Sequence, residues 1–169
     1  MTALAVGPET SAPRVLTGMF SQPFEQLRVG DMHTTAGRTV TEADVVMFAH
    51  MTGDTLPVHT DRHWAEKEGM YGRRTANGLL TLSYALGLLP LDIVHLIALR
   101  RIRQVVFKRP VFLGDTIRSR VRITELVDRG RFGCVVISLQ VVNQDDETVL
   151  HGLFELLWKL AGSCTTDGG

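Results

Sequence analysis

The chain has little cysteine: two residues in 169, Cys134 and Cys164. One falls in an extended-looking segment and the other in a polar tail. That supplies neither a disulfide framework nor a metal-ligand spacing, and it points to a reducing, cytoplasmic setting. The chain also has no excess charge. Lys+Arg 18 balance Asp+Glu 18, which removes the global electrostatic signature of a nucleic-acid binder. No apolar run approaches the length of a membrane span. The opening residues MTALAVGPETSAPRV lack the basic start and unbroken apolar stretch of a secretion signal. Neither a nucleic-acid partner nor a membrane is therefore expected.

What is present is a hydrophobic content of 44%, enough for a real core, on a length suited to one domain. Residues 1–16 and 162–169 are aperiodic and rich in small or polar residues, and they read as a flexible arm and tail around a domain at 17–161. Thr41 to Asp44 has the pattern of a capping box. The helix it starts keeps apolar spacing to Gly53, a C-cap glycine. Residues 54–59 read as an irregular loop because Pro57 interrupts them. A short helix over 62–68 follows, capped by Thr60 or Asp61. Residues 78–89, GLLTLSYALGLL, are apolar nearly all round, which predicts a helix buried on every side. From Ile97 the period changes to two, and Ile117, Ser119, Val121 and Ile123 alternate with Arg118, Arg120 and Arg122. The class is α+β: short strands and helices, then a long antiparallel meander.

The chemistry-bearing residues gather in 39–89, where Asp54, His59 and Gly78 stand out. Each has a plainer reading. An Asp after Gly forms turns, His59 can be a loop histidine, and Gly78 can be a packing glycine. His59, Asp61 and His63 have the look of a helical metal pair, but Pro57 and the helix cap put His59 before that helix and no further ligand cluster is nearby. No metal is expected. Arg118, Arg120 and Arg122 read as a solvated sheet face or as phosphate contacts, with Arg73, Arg74, Lys108 and Arg109 as rivals in loops.

The stretch TGDTLPVHTD, followed by an apolar helix beginning at Asn77-Gly78-Leu79-Leu80, resembles the MaoC-like dehydratases, also called (R)-specific enoyl-CoA hydratases. The later FKRPVFLGDTI is similar to a strand-turn-strand signature of that family. Leu56 stands where the family usually has Asn, and Asn77 where it usually has His. The resemblance implies a single hotdog fold, an antiparallel sheet wrapped around a central helix. It also implies subunits that pair as a homodimer or higher oligomer. The implied activity is reversible hydration of a trans-2-enoyl thioester to the (R)-3-hydroxyacyl thioester. The carrier is coenzyme A or the phosphopantetheine of an acyl carrier protein, each part of the substrate, and no separate cofactor is implied.

That reaction needs a base for water, an acid for C2 and a donor for the enolate oxygen. The resemblance gives the first two tasks jointly to Asp54 and His59 and the third to the backbone amide of Gly78. Leu56, Pro57 and Asn77 near the pair, and Leu79, Leu82, Tyr84 and Leu86 along the helix, are candidate substrate contacts. Plain core is the other reading of the helical ones. Two rival functions are a hotdog thioesterase, which would release free thiol, and a subunit of a heteromeric dehydratase.

Overall fold

The computed structural model describes residues 14–161. Most of the expected arm and all of the expected tail, with Cys164, lie outside the described residues. The last arm residues, 14–16, lie against the neighbouring strand: Leu16 N–H donates to the Met32 carbonyl, and Arg14 pairs with the buried Asp31 at 2.6 Å.

Two 3-10 turns, Met19–Ser21 and Phe24–Gln26, lead into β1 (Met32–Thr34) and β2 (Arg38–Thr39). Four helices follow: α1 (Glu42–Thr52), α2 (Pro57–Thr60), α3 (Arg62–Lys67) and α4 (Gly78–Gly87). Four long strands complete the chain: β3 (Leu96–Phe107), β4 (Thr116–Asp128), β5 (Gly133–Val142) and β6 (Thr148–Trp158). The sheet runs β1-β4-β5-β6-β3, antiparallel throughout, with β2 also on β4. The simple meander expected from the sequence covers only β4 to β6. β3 pairs with β6 rather than with its chain neighbour β4, so the segment between them crosses the sheet.

Period-two patterning sets the two faces of the sheet. Ile117, Ser119, Val121 and Ile123 of β4 turn inward with Ile137 and Leu139 of β5 and Phe154 and Leu156 of β6. They enclose Leu80, Leu82, Ala85 and Leu89 from α4 and the residues just after it. Ser119 is fully buried, and its hydroxyl donates to the Ala85 carbonyl at 2.8 Å, tying sheet to helix. This is the sheet-around-helix arrangement that the resemblance implies. Two details of the helix differ from expectation. It ends at Gly87, and Gly78, Leu79, Ser83 and Gly87 form an exposed face, so α4 is buried on its sheet side only.

α1 forms as its sequence dictates. Thr41 Oγ1 accepts from the Asp44 amide and Asp44 accepts back from Thr41. Val45 and Ala49, one turn apart, are fully buried. The helix is fastened to α4 near both ends. Tyr84 donates to Asp44 at 2.6 Å, and Asn77 donates to Asp54 at 2.7 Å. The two helices therefore run antiparallel, and the end of α1 arrives at the start of α4.

Candidate active site

Three segments meet where α1 ends and α4 begins. The first is the C-cap of α1. Gly53 sits at φ 77° and its N–H donates to the Ala49 carbonyl at 2.9 Å. That left-handed conformation is strained for any residue with a Cβ. It reverses the chain and delivers Asp54 beyond the helix, its own amide directed to Thr52 Oγ1.

The second segment carries His59. The irregular loop expected over 54–59 is instead partly helical, because α2 starts at Pro57. Proline is acceptable at the first helical position, where its missing N–H would have no partner and its fixed φ already suits the helix. His59 occupies this short turn and is buried, with 11% of its side chain exposed. Its Nδ1 lies 2.8 Å from the Thr75 carbonyl oxygen. A carbonyl only accepts, so Nδ1 carries a proton, and in the neutral ring Nε2 bears the lone pair. Thr75 N–H returns a bond to the Val58 carbonyl at 3.0 Å, which locks the two segments together.

Nε2 of His59 stands 3.8 Å from Oδ2 of Asp54. With neutral imidazole and ionised carboxylate, both atoms are acceptors, and the gap is too long for a direct hydrogen bond. Two acceptors at this separation can be bridged by a molecule with two O–H or N–H donors. Water is the smallest such molecule. Asp54 is the accessible partner, with 41% of its side chain exposed.

The third segment, 75–78, holds both members of the pair and opens α4. Asn77 is 1% exposed and reaches Asp54. Gly78 is the first residue of α4, where backbone amides have no intrahelical acceptor and the helix dipole is positive. Gly78 lines a cleft of about 190 Å³ with Tyr71, Thr75, Ala76, Phe107 and Arg109. Neither Asp54 nor His59 lines that cleft, and the pair connects to its wall through Thr75 and Asn77. A Cβ added at Gly78 would lie 3.0 Å from a Phe107 ring carbon. The packing reading of this glycine therefore holds alongside any role at the cleft.

A second cleft, of about 420 Å³, lies between α1 and α4 and is lined by Met47, Phe48, Met51, Leu80 and Tyr84 among others. Arg38, Asp44 and Tyr84 make its polar end. Arg38 lies 3.2 Å from Asp44 and 3.8 Å above the Tyr84 ring. Desolvation pushes the Asp44 carboxyl up, but hydrogen bonds from Tyr84 and Thr41 and the charge of Arg38 outweigh it and bring the pKa down to about 2. Burial, and then the hydrogen bond to the same carboxylate, raise Tyr84.

The structure sorts the remaining candidates. Leu56 and Pro57 are exposed at the start of α2, and Leu79 is 62% exposed at the start of α4, yet none of the three lines either cleft. Leu82 packs in the core and lines neither cleft, while Tyr84 lines the second. Arg118, Arg120 and Arg122 alternate with residues that face α4, so they lie on the opposite side of the sheet, and Arg120 is paired with Asp146. Of the rival basic residues, Arg74 pairs with Glu42, Arg73 stacks 3.5 Å above Phe112, and Arg109 reaches the first cleft while pairing with Glu147 at 3.4 Å and donating to the Thr148 carbonyl at 3.1 Å. His63 is exposed on α3. Sequence reasoning passed over Thr75 and Phe107. The role of Thr75 belongs to its main-chain carbonyl, which leaves no side-chain signature.

Comparison with known proteins gives a consistent picture. The MaoC like domain family matches residues 25–145. Protein MaoC of Klebsiella aerogenes is 37% identical over 103 residues, 60% of this chain; the chain spans only 30% of the length of that protein. The 3-hydroxybutyryl-CoA dehydratase of Methylorubrum extorquens is 31% identical over 129 residues, 76% of this chain and 79% of that protein. Among solved structures, the unliganded R-hydratase PhaJ1 of Pseudomonas aeruginosa superposes with a TM-score of 0.69 at 26% identity, over 82% of this chain and 86% of that one.

Proposed function

The chain belongs to the MaoC-like domain family, and on that premise we propose that it is a hydro-lyase. In this reading it adds water reversibly to a trans-2-enoyl thioester and yields the (R)-3-hydroxyacyl thioester. The observation that carries the reading is the 3.8 Å approach of His59 Nε2 to Asp54 Oδ2, with the imidazole tautomer set by Thr75. The names of the Methylorubrum dehydratase and the Pseudomonas R-hydratase support the same chemistry.

Water held between the two acceptors gives up one proton to the pair as its oxygen bonds to C3 of the substrate. The C2–C3 π electrons move toward the thioester carbonyl, and the developing enolate oxygen lies at the Gly78 amide. The proton taken from water returns to C2 as the enolate collapses. Dehydration is the reverse. The pair contributes general acid–base catalysis, worth about 10²–10⁴-fold. One backbone donor at an oxyanion contributes about 10²–10³-fold. The chemistry needs no metal or redox cofactor. Arg109, beside the Gly78 cleft, is placed to meet a phosphate of the carrier, coenzyme A or phosphopantetheine. The cleft between α1 and α4, with Tyr84 at its polar end, takes the acyl chain. The working unit is a homodimer or higher oligomer, acting in the cytoplasm.

The test is the purified chain with crotonyl-CoA. Loss of enoyl absorbance without release of free thiol is the expected result, and thiol release would mean hydrolysis instead. Asp54→Asn and His59→Ala should each lower turnover by about 10³-fold or more with the fold intact by circular dichroism. Near-normal turnover in either variant would remove that residue from the mechanism.

A further inference from the structure

Asn77 is the most enclosed polar side chain at the site, 1% exposed, and the chemistry above does not use it. It stands at the N-cap of α4, where an asparagine oxygen ordinarily accepts from an amide of the first turn. Here it makes no cap bond. Its Nδ2 instead donates to Asp54 Oδ2 at 2.7 Å, with a longer contact of 3.4 Å to the Asp54 carbonyl. Its Oδ1 is buried with no hydrogen-bond partner. The amide cannot be turned over, because Oδ1 would then face a carboxylate. The Asn77 carbonyl is fixed too, accepting from Thr81 N–H at 3.1 Å and Thr81 Oγ1 at 3.3 Å.

An asparagine that forgoes its local cap and leaves a buried oxygen unpaired is poorly placed for folding. What the arrangement does hold is Asp54. Among the described residues the Asp54 carboxylate accepts from no other donor, and its side chain is 41% exposed. The same oxygen that Asn77 grips is the one 3.8 Å from His59 Nε2. We propose that Asn77 is a positioning residue: it clamps Oδ2 of Asp54 beside His59, so that the remaining acceptor capacity of that oxygen and Nε2 face one reactant. This rests on the reading of Asp54 and His59 as the acid–base pair.

The test compares Asn77→Leu, which removes both the donor and the unpaired oxygen, with Asn77→His, which keeps an N–H of similar reach. With crotonyl-CoA, Asn77→Leu is expected to lower kcat by about 10–100-fold, with KM within about twofold and no fall in melting temperature. Asn77→His should recover most of kcat. Should Asn77→Leu fail to fold, Asn77→Ala carries the same comparison. A kcat within twofold of the parent in the donor-less variant overturns the proposal. Parallel changes in kcat and KM overturn it also, since they mean that residue 77 meets substrate directly. A second readout needs no turnover. The NMR signals of the His59 ring should change in Asn77→Leu as they do in Asp54→Ala, and unchanged signals overturn the clamp. If the parent chain does not hydrate any enoyl thioester, the hydro-lyase reading falls, and the NMR comparison still decides the placement of Asp54.

Discussion

Gly78→Ala separates a packing glycine from a functional one. The added Cβ would sit 3.0 Å from one Phe107 ring carbon and 3.3 Å from two others. Such contacts need a shift of a few tenths of an ångström, and Phe107 is 49% exposed, so its ring has room to give. The backbone is no obstacle, since Gly78 is an ordinary helical position without positive φ. Against this small strain stands the helix preference of alanine, up to about 1 kcal/mol. Net stability should stay within about 1 kcal/mol, a change in Tm of about 2–4 °C. Activity should respond very differently. The methyl group borders the cleft at the amide to which a thioester oxygen must come within hydrogen-bond distance. Displacing that oxygen by about 1 Å costs about 10²-fold, close to the loss of one oxyanion donor. Thermal melts and kcat/KM with crotonyl-CoA check both halves. A folded variant with kcat/KM close to that of the parent would refute the placement of the reacting carbonyl at residue 78. A large fall in Tm would return the glycine to a packing role.

Other consequences are open to direct measurement. Asp44 is held at about 2 in the folded chain, below the ordinary 3.8, so its ionised form favours the fold. That contribution, about 2 kcal/mol at most, is present above pH 4 and disappears as the pH falls toward 2. Asp44→Asn should lack this part of the acid limb in melts taken across pH 2–7. Tyr84→Phe, which deletes a 2.6 Å bond to the same carboxylate, should lose about 1.5–3 kcal/mol near neutral pH, read by denaturant titration. Gly53→Ala meets no atom within 4 Å, so its cost is wholly that of φ 77°, about 1–2 kcal/mol. An unchanged midpoint of unfolding would contradict that conformation.

Local signals made much of this legible in the sequence. The capping box at Thr41 and Asp44, the glycine stop at Gly53 and the alternation from Ile117 to Ile123 each arise from neighbours within a few residues, and each appears in the structure. What escaped depended on partners far along the chain. Nothing in β3 itself says that it pairs with β6. The residues of α4 are apolar all round, and only the placement of the sheet decides which side stays exposed. Pro57 was legible as an interruption, but the same residue also begins a turn of helix. Asp54 and His59 were visible as a pattern. The groups that orient them, the Thr75 carbonyl and the Asn77 amide, act across gaps of 16 and 23 residues.

The main-chain anchor on His59 gives its ring a front and a back. The rear nitrogen is engaged with Thr75, so an acylating probe such as diethyl pyrocarbonate has one nucleophilic atom to find, and it is the one turned toward Asp54. Modification should therefore stop at a single adduct on this ring, and any occupant of the gap in front of it should shield His59 from the reagent.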